Sequence, residues 1–323
     1  MALWIVVRLY MVVSDMKKYL INIAIFFAIV AIVDMAIGMG FHYLQANVAK
    51  GRIKVEYHAC MESDEDVLIL GSSRAAHHYV PQILSDSLGM KCFNAGQDGN
   101  GIILHYGRWK MISDRYSPKL IIYDITANFD IALNDNMTYV DRLKPFCYDS
   151  QVKKYIADIF PLEKYKLYSK MYRYNYKFLE VLSDCAANNV VDDGYAPLVG
   201  LIRQEIVDKE NFEHKGITID SVKLKYLEQL VKEAKEKNTR IIFVLSPSYR
   251  GVERDNVAIG SINDIASRYN VRFLDYSDDS ICQDASLFYD SSHLNDKGAR
   301  IFTNKLIAHI KQSNLFVSVQ KWF

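Results

Sequence analysis

Asp66-Val67-Leu68-Ile69-Leu70-Gly71-Ser72-Ser73-Arg74 is the stretch on which the fold turns. A short aliphatic run closes on a glycine and two serines, and a helix-like segment follows from about Tyr79. Such a run, bounded by a glycine bend, reads as a buried parallel strand. In open α/β sheets the ligand crevice lies at the carboxyl ends of the strands. Ser72 and Ser73 therefore stand either where chemistry can happen or as ordinary turn and cap residues.

Outward from this strand the pattern alternates. Helical segments are expected at Pro81–Leu88, Ile102–Ile112, Val222–Lys237, Asn256–Tyr269 and Asp296–Gln312. Between them lie strand-like runs at Lys91–Asn94, Lys119–Ile125, Arg240–Leu245 and Val271–Asp275. Alternation of this kind predicts a parallel sheet with helices on both faces. The rhythm breaks from about Ile131 to Asp220, a tract rich in tyrosine and without clear strands. Structureless loops of this length are rare inside compact domains, so a helical cap inserted over the strand ends is expected. Its tyrosines either pack a core or stack on sugars, and Arg173-Tyr174-Asn175 is the segment expected to touch substrate.

The chain before the first strand has a different character. Residues from about Tyr19 to Phe41 are almost continuously apolar. A helix of that length can cross a hydrocarbon layer of about 30 Å. It is too long for the apolar region of an ordinary signal peptide, so it reads as an uncleaved anchor. Met16-Lys17-Lys18 is the more natural start for such an anchor. Asp34 lies within the span, where a carboxylate faces either a protein partner or water. Ala36 and Gly40, at small-xxx-small spacing, suit a helix partner. The division expected is residues 1–45 as anchor, 46–65 as a polar juxtamembrane linker, and 66–323 as an α/β domain carrying the cap at about 131–220.

The whole chain of 323 residues, half of them hydrophobic, is long enough for a sizeable core. A net charge of +1 argues against nucleic acid as the main partner. Five cysteines without a C-x-x-C pair or a Cys/His cluster make neither a disulfide framework nor a zinc site.

Three further stretches carry candidate chemistry. Phe93-Asn94-Ala95-Gly96-Gln97-Asp98-Gly99-Asn100-Gly101 follows the second strand. A glycine-rich turn there leaves backbone N–H groups able to approach an oxyanion. It lacks the Lys-Ser/Thr of a P-loop and the G-x-G-x-x-G spacing of a dinucleotide site. Asn128, beyond the third strand, is either a donor to developing negative charge or a turn residue. Asp290-Ser291-Ser292-His293 precedes the last helix. Its Asp-x-x-His spacing lets a carboxylate fix the imidazole tautomer while the other ring nitrogen faces a serine.

Taken in order, Gly71-Ser72-Ser73, the Asn94-to-Gly99 turn, Asn128 and Asp290-x-x-His293 resemble the four signature blocks of the SGNH/GDSL hydrolase superfamily. The match covers about residues 66–130 and 240–313. It implies a flavodoxin-like three-layer α/β/α sandwich with a five-stranded parallel sheet. It further implies Ser73 as nucleophile, His293 as base and Asp290 as its orienter. The oxyanion hole would comprise the N–H groups of Ser73 and Gly99 and the side chain of Asn128, with no cofactor and no metal. Ser72 departs from the family's namesake aspartate, and Thr-Ala-Asn-Phe-Asp departs from Gly-x-Asn-Asp. Arg74 would either anchor an anionic group or pair with a nearby carboxylate.

The membrane-anchored Gly-Ser-Ser-Arg version looks like bacterial cell-envelope relatives that move acyl groups onto or off polysaccharides. Some of these work beside a membrane-bound acyltransferase, a partner the anchor helix could meet. The resemblance thus implies a serine esterase or O-acyltransferase acting on an acylated glycan. The basic residues flanking the anchor are nearly balanced, and the extracytoplasmic side is expected because a lone N-terminal anchor ahead of a large domain usually exports it. The alternative is a silent glycan-binding or scaffold protein that kept the fold.

Overall fold

The computed structural model describes residues 2–186, 193–203, 217–252 and 254–312. Its centre is a five-stranded sheet built from β1 (Val67–Gly71), β2 (Cys92–Asn94), β3 (Leu120–Asp124), β4 (Arg240–Leu245) and β5 (Arg272–Asp275). All pairings are parallel and the order is β2-β1-β3-β4-β5. This is the flavodoxin-like order, whose reversal point lies between β1 and β3.

Alternate residues of each strand feed two separate cores. Leu68, Leu70, Ile121, Tyr123 and Phe243 pack on one face against α5 (Ile102–Arg115), α11 (Ser221–Glu236) and α12 (Asn256–Tyr269). Val67, Ile69, Leu120, Ile122 and Val244 face the other side, against α3 (Ser73–His78), α4 (Pro81–Leu88) and α13 (Asp296–Gln312). The strands carry aliphatic residues throughout because both of their faces are buried. The expected three-layer sandwich is therefore present, with each strand within a few residues of its predicted place.

Two regions differ from expectation. Residues 46–65 are no linker: α2 (Gly51–Tyr57) and a π-helical turn, His58–Glu62, lie folded against the domain. Ile53, Val55, Ala59 and Cys60 are buried there, and the buried Glu56 pairs with the buried Lys177. The segment reads as polar because its charges are neutralised internally.

The insertion is helical as expected, with α6 (Ala127–Asp130) leading into α7 (Met137–Asp141), α8 (Ser150–Ile159), α9 (Glu163–Lys166) and α10 (Phe178–Ala186). Its helices pack beside α5, with Tyr155 donating to the Ile103 carbonyl at 2.8 Å, and only its later residues 193–202 reach the strand ends, where the Asn94 N–H donates to the Asp193 carbonyl at 2.9 Å. Its other face meets α1 (Ala2–Asn47).

The carboxylate of Asp34 accepts from the Ser169 hydroxyl and from the N–H groups of Lys170, at 2.8 Å, and Met171, at 3.2 Å. One helical turn on, a Cβ at Gly38 would fall 2.3 Å from that of Lys170, so only glycine permits this approach. Asp34 is thus engaged within its own chain, and Gly40, expected to seat a helix partner, faces open space.

Candidate active site

β1 ends in Gly71 at φ +137°, where a Cβ would lie 2.5 Å from the Asp124 carbonyl oxygen. Only glycine can turn the chain so tightly beside β3. The turn delivers Ser73 as the first residue of α3, at the reversal point of the sheet. The Ser73 N–H, at a helix start, has no intrahelical acceptor.

Asp290 and His293 arrive on the loop between β5 and α13. The Asp290 carboxylate accepts from the N–H groups of Ser292 and His293, both at 2.8 Å. The same carboxylate lies 2.9 and 3.0 Å from His293 Nδ1. The aspartate thus folds its own turn and orients the ring. Burial pushes its carboxyl up, but the hydrogen bond and charge of His293 and the two backbone donors together hold it below the usual carboxylate range. With Nδ1–H committed to Asp290, Nε2 carries the lone pair, 2.7 Å from Ser73 Oγ. The structure therefore brings Ser73, His293 and Asp290 together in the order that proton abstraction from a serine requires.

Several groups hold this arrangement, and the sequence did not reveal them. His78 is fully buried, and its Nε2 accepts from the Leu294 N–H at 3.0 Å. Its Nδ1 must then carry the proton, donated to Ser246 Oγ at 2.9 Å. Burial, with the nearby charge of His293, pushes this imidazole well below its ordinary value and keeps it neutral. One ring thus ties the tip of β4 to the backbone beside His293. The neighbouring His77 approaches the Ala196 carbonyl at 2.6 Å and Asp98 at 3.3 Å, and stands edge-on to His293.

Residues 193–202 form a strap across the site. The Ala196 N–H donates to the Ala76 carbonyl at 3.0 Å, and that of Ile202 to the Phe288 carbonyl at 2.8 Å. The strap thereby links the serine helix to the histidine loop.

The glycine-rich turn docks on β1, with the Gln97 N–H donating to the Gly71 carbonyl at 2.9 Å. Asn94 donates to the Ala75 and Tyr79 carbonyls and fixes the turn to α3. Gly99 is exposed, and its N–H has no acceptor among the described residues. Asn128 lies exposed on α6, just beyond the tip of β3, and its carbonyl accepts from Asn134. Beside Gly99, the Asp98 carboxyl is pushed up by burial yet held down at about 2 by His77 and the Arg52 guanidinium.

Of the three residues considered for substrate contact, Arg74 takes the other of its two expected roles, beside a carboxylate, and Arg173 and Tyr174 lie elsewhere. Arg74 is buried, donating to the Ser246 carbonyl at 3.2 Å and to the Ile125 carbonyl, with Asp124 at 3.5 Å. It joins the tips of β3 and β4 and presents no face to a ligand. Arg173 donates to the Leu167 carbonyl at 2.9 Å, inside the insertion. Tyr174 is buried and stacks on Phe41 of α1, ring centres 5.7 Å apart. These two belong to the contact with the N-terminal helix because the insertion packs beside the sheet.

No known family model and no curated protein matches the sequence. Among solved structures, a protein assigned to the lipolytic G-D-S-L family from Desulfitobacterium hafniense aligns at 10% identity, covering 75% of this chain and 98% of its own, with TM-score 0.38. The acetylxylan esterase Axe2 from Geobacillus stearothermophilus aligns at 15% identity over 78% of this chain and 96% of its own, TM-score 0.38. An α/β hydrolase from a Lake Arreo metagenome aligns at 13% identity over 76% and 94%, TM-score 0.39. At such identities the reading of the site rests on its own geometry. The likeness to these structures is one of fold: a parallel α/β sheet flanked by helices on both faces.

Proposed function

We propose that the protein is a serine-dependent acyl-ester hydrolase or O-acyltransferase acting on a cell-envelope polysaccharide. The observation that carries this reading is the 2.7 Å approach of His293 Nε2 to Ser73 Oγ, with Asp290 on the other ring nitrogen. His293 takes the Ser73 proton as Oγ attacks the ester carbonyl, and Asp290 stabilises the imidazolium that forms. The N–H groups of Ser73 and Gly99 and the Asn128 amide receive the oxyanion. A single such donor is worth about 2.7–4 kcal/mol. Collapse expels the alcohol, protonated by His293, and leaves acyl-Ser73. Water or a sugar hydroxyl, deprotonated by His293, then takes the acyl group.

The His293 side chain is 22% exposed and that of Asp290 37%, an openness that suits a bulky, polymeric substrate. The apolar, solvent-exposed N-terminal part of α1 supports a membrane anchor; placing the domain on the extracytoplasmic side rests on the general habit of a lone N-terminal anchor to export the large domain that follows it. A membrane-bound acyltransferase as donor of the acyl group fits the transferase reading.

The test is labelling of the full chain in detergent with a serine-reactive phosphonate, beside Ser73→Ala and His293→Ala, with acetyl-ester turnover in parallel. Rapid labelling of the wild type, lost in both variants, is expected. A folded wild type that stays unlabelled and turns over nothing would overturn the enzyme reading in favour of a silent glycan-binding protein.

A further inference from the structure

Resting on the reading of α1 as a membrane anchor, we infer that residues 161–182 of the insertion form a collar seated in the lipid headgroup layer where α1 leaves the bilayer. Up to Val33 the described side chains of α1 are solvent-exposed on all sides, Phe26, Phe27 and Ile32 among them. At Asp34 this changes, because the carboxylate caps the 169–171 turn and Gly38 and Phe41 pack on the insertion. The fifteen uncharged residues from Tyr19 to Val33 rise about 22 Å as a helix, and the long side chains of Lys17 and Lys18, reaching outward to the headgroups, extend this toward one hydrocarbon thickness. Charged residues bound that length at both ends, Asp15, Lys17 and Lys18 at one and Asp34 at the other. The bilayer surface therefore falls at the level of the 169–171 turn.

The segment around this turn has the composition that such a depth selects. Leu162, Tyr165, Tyr168 and Leu179 are each about two-thirds exposed, with Met171, Tyr176 and Phe178 beside them. In water so many exposed apolar side chains on one short segment are costly. Its exposed charges are basic: Lys164 and Lys166 project, while the Glu163 carboxylate is buried against Lys144 and Lys166. Tyrosine interleaved with lysine is the pattern of a membrane–water interface, and the lysines favour anionic headgroups. Between α1 and the collar runs an apolar groove of about 660 Å³, lined by Ile37, Phe41, Met171, Tyr174 and Phe178. It lies at headgroup depth, just beyond the point where α1 leaves the hydrocarbon.

The test uses the full chain in vesicles of phosphatidylcholine with a minority of phosphatidylglycerol. In a Cys185→Ser background, which removes the one exposed cysteine, a polarity-sensitive fluorophore is placed through Tyr168→Cys, Leu179→Cys, Ile25→Cys or Asp264→Cys. Far-UV circular dichroism checks that each variant is folded. Blue-shifted emission at Tyr168→Cys and Leu179→Cys, quenched by lipid carrying a nitroxide high on the acyl chain, is expected. Ile25→Cys should be quenched by a nitroxide near the chain end, and Asp264→Cys by neither. Quenching at Ile25→Cys alone overturns the collar and leaves the anchor standing. Quenching at neither place overturns the anchor and the collar with it. Blue-shifted but unquenched collar labels overturn lipid as the occupant in favour of a protein.

Discussion

Arg52 Nη2 lies 2.9 Å from Asp98 Oδ2, joining α2, the helix that follows α1, to the residue before Gly99. Asp98 in turn meets His77, which stands against His293. The pair is partly solvated, with 27% and 48% of its side chains exposed, so it adds less than about 1 kcal/mol to stability. Its consequence for a donor at Gly99 is larger, since misplacement by an ångström can cost about 100-fold. Arg52→Ala should lower kcat by roughly ten- to 100-fold with little change in Tm, and Arg52→Lys should restore part of it. Steady-state turnover of an acetyl ester and a thermal melt decide; an unchanged kcat removes Arg52 from the site.

Asp290 does two things at once, and they can be separated. Asp290→Asn keeps an oxygen for the Ser292 and His293 N–H groups but favours the wrong imidazole tautomer. Loss of the tautomer alone should cost up to about 10⁴-fold in kcat, by analogy with serine proteases. Asp290→Ala should lose comparable activity and also loosen the loop, lowering Tm. Equal melts for the two variants would show that the carboxylate does not hold the turn.

His78 is the buried support of the histidine loop. His78→Ala strands the Leu294 N–H and the Ser246 hydroxyl and opens a cavity. Burying unpaired polar groups of this kind costs about 1–3 kcal/mol each. Denaturant unfolding should show a loss of about 2–4 kcal/mol, and phosphonate labelling of Ser73 should slow even in conditions where the variant is folded. Normal labelling in a destabilised variant would mark His78 as a packing residue only.

How much of this was legible in the sequence depends on how local each feature is. The strands were readable because Val67–Leu70 and Ile241–Leu245 are buried on both faces and so carry only apolar residues. Asp290 and His293 were readable because only two residues separate them and one turn joins them. Arg74 was not, since its partners are carbonyls of Ser246 and Ile125, strand tips far away in the chain. The course of residues 46–65 was hidden by charges such as Glu56, which looks solvated in sequence yet is buried with Lys177. Tyr174 could equally have faced a sugar or a helix, and only the packing of the insertion against Phe41 decides between them.

Asp130 gives the fold a dependence on pH whose sign can be worked out. It is fully buried below the tip of β3, accepting from the Thr126 N–H at 2.8 Å and the Tyr123 hydroxyl at 2.7 Å. Burial raises its carboxyl to about 6 from an ordinary 3.8, against the lowering effect of these donors. Below pH 3.8 folded and unfolded chains both keep the proton, and Asp130 is neutral in each. Between that value and about 6 the unfolded chain releases it while the folded chain retains it, so stability falls as pH rises. At about 1.4 kcal/mol per unit the loss amounts to roughly 3 kcal/mol by neutral pH. Asp130→Asn has no proton to release. The stability of the wild type relative to this variant should therefore decline by that amount between about pH 4 and pH 7. Urea unfolding of both proteins across the range measures it. A difference that stays constant would show that the ionised carboxylate is solvated as well inside the fold as outside.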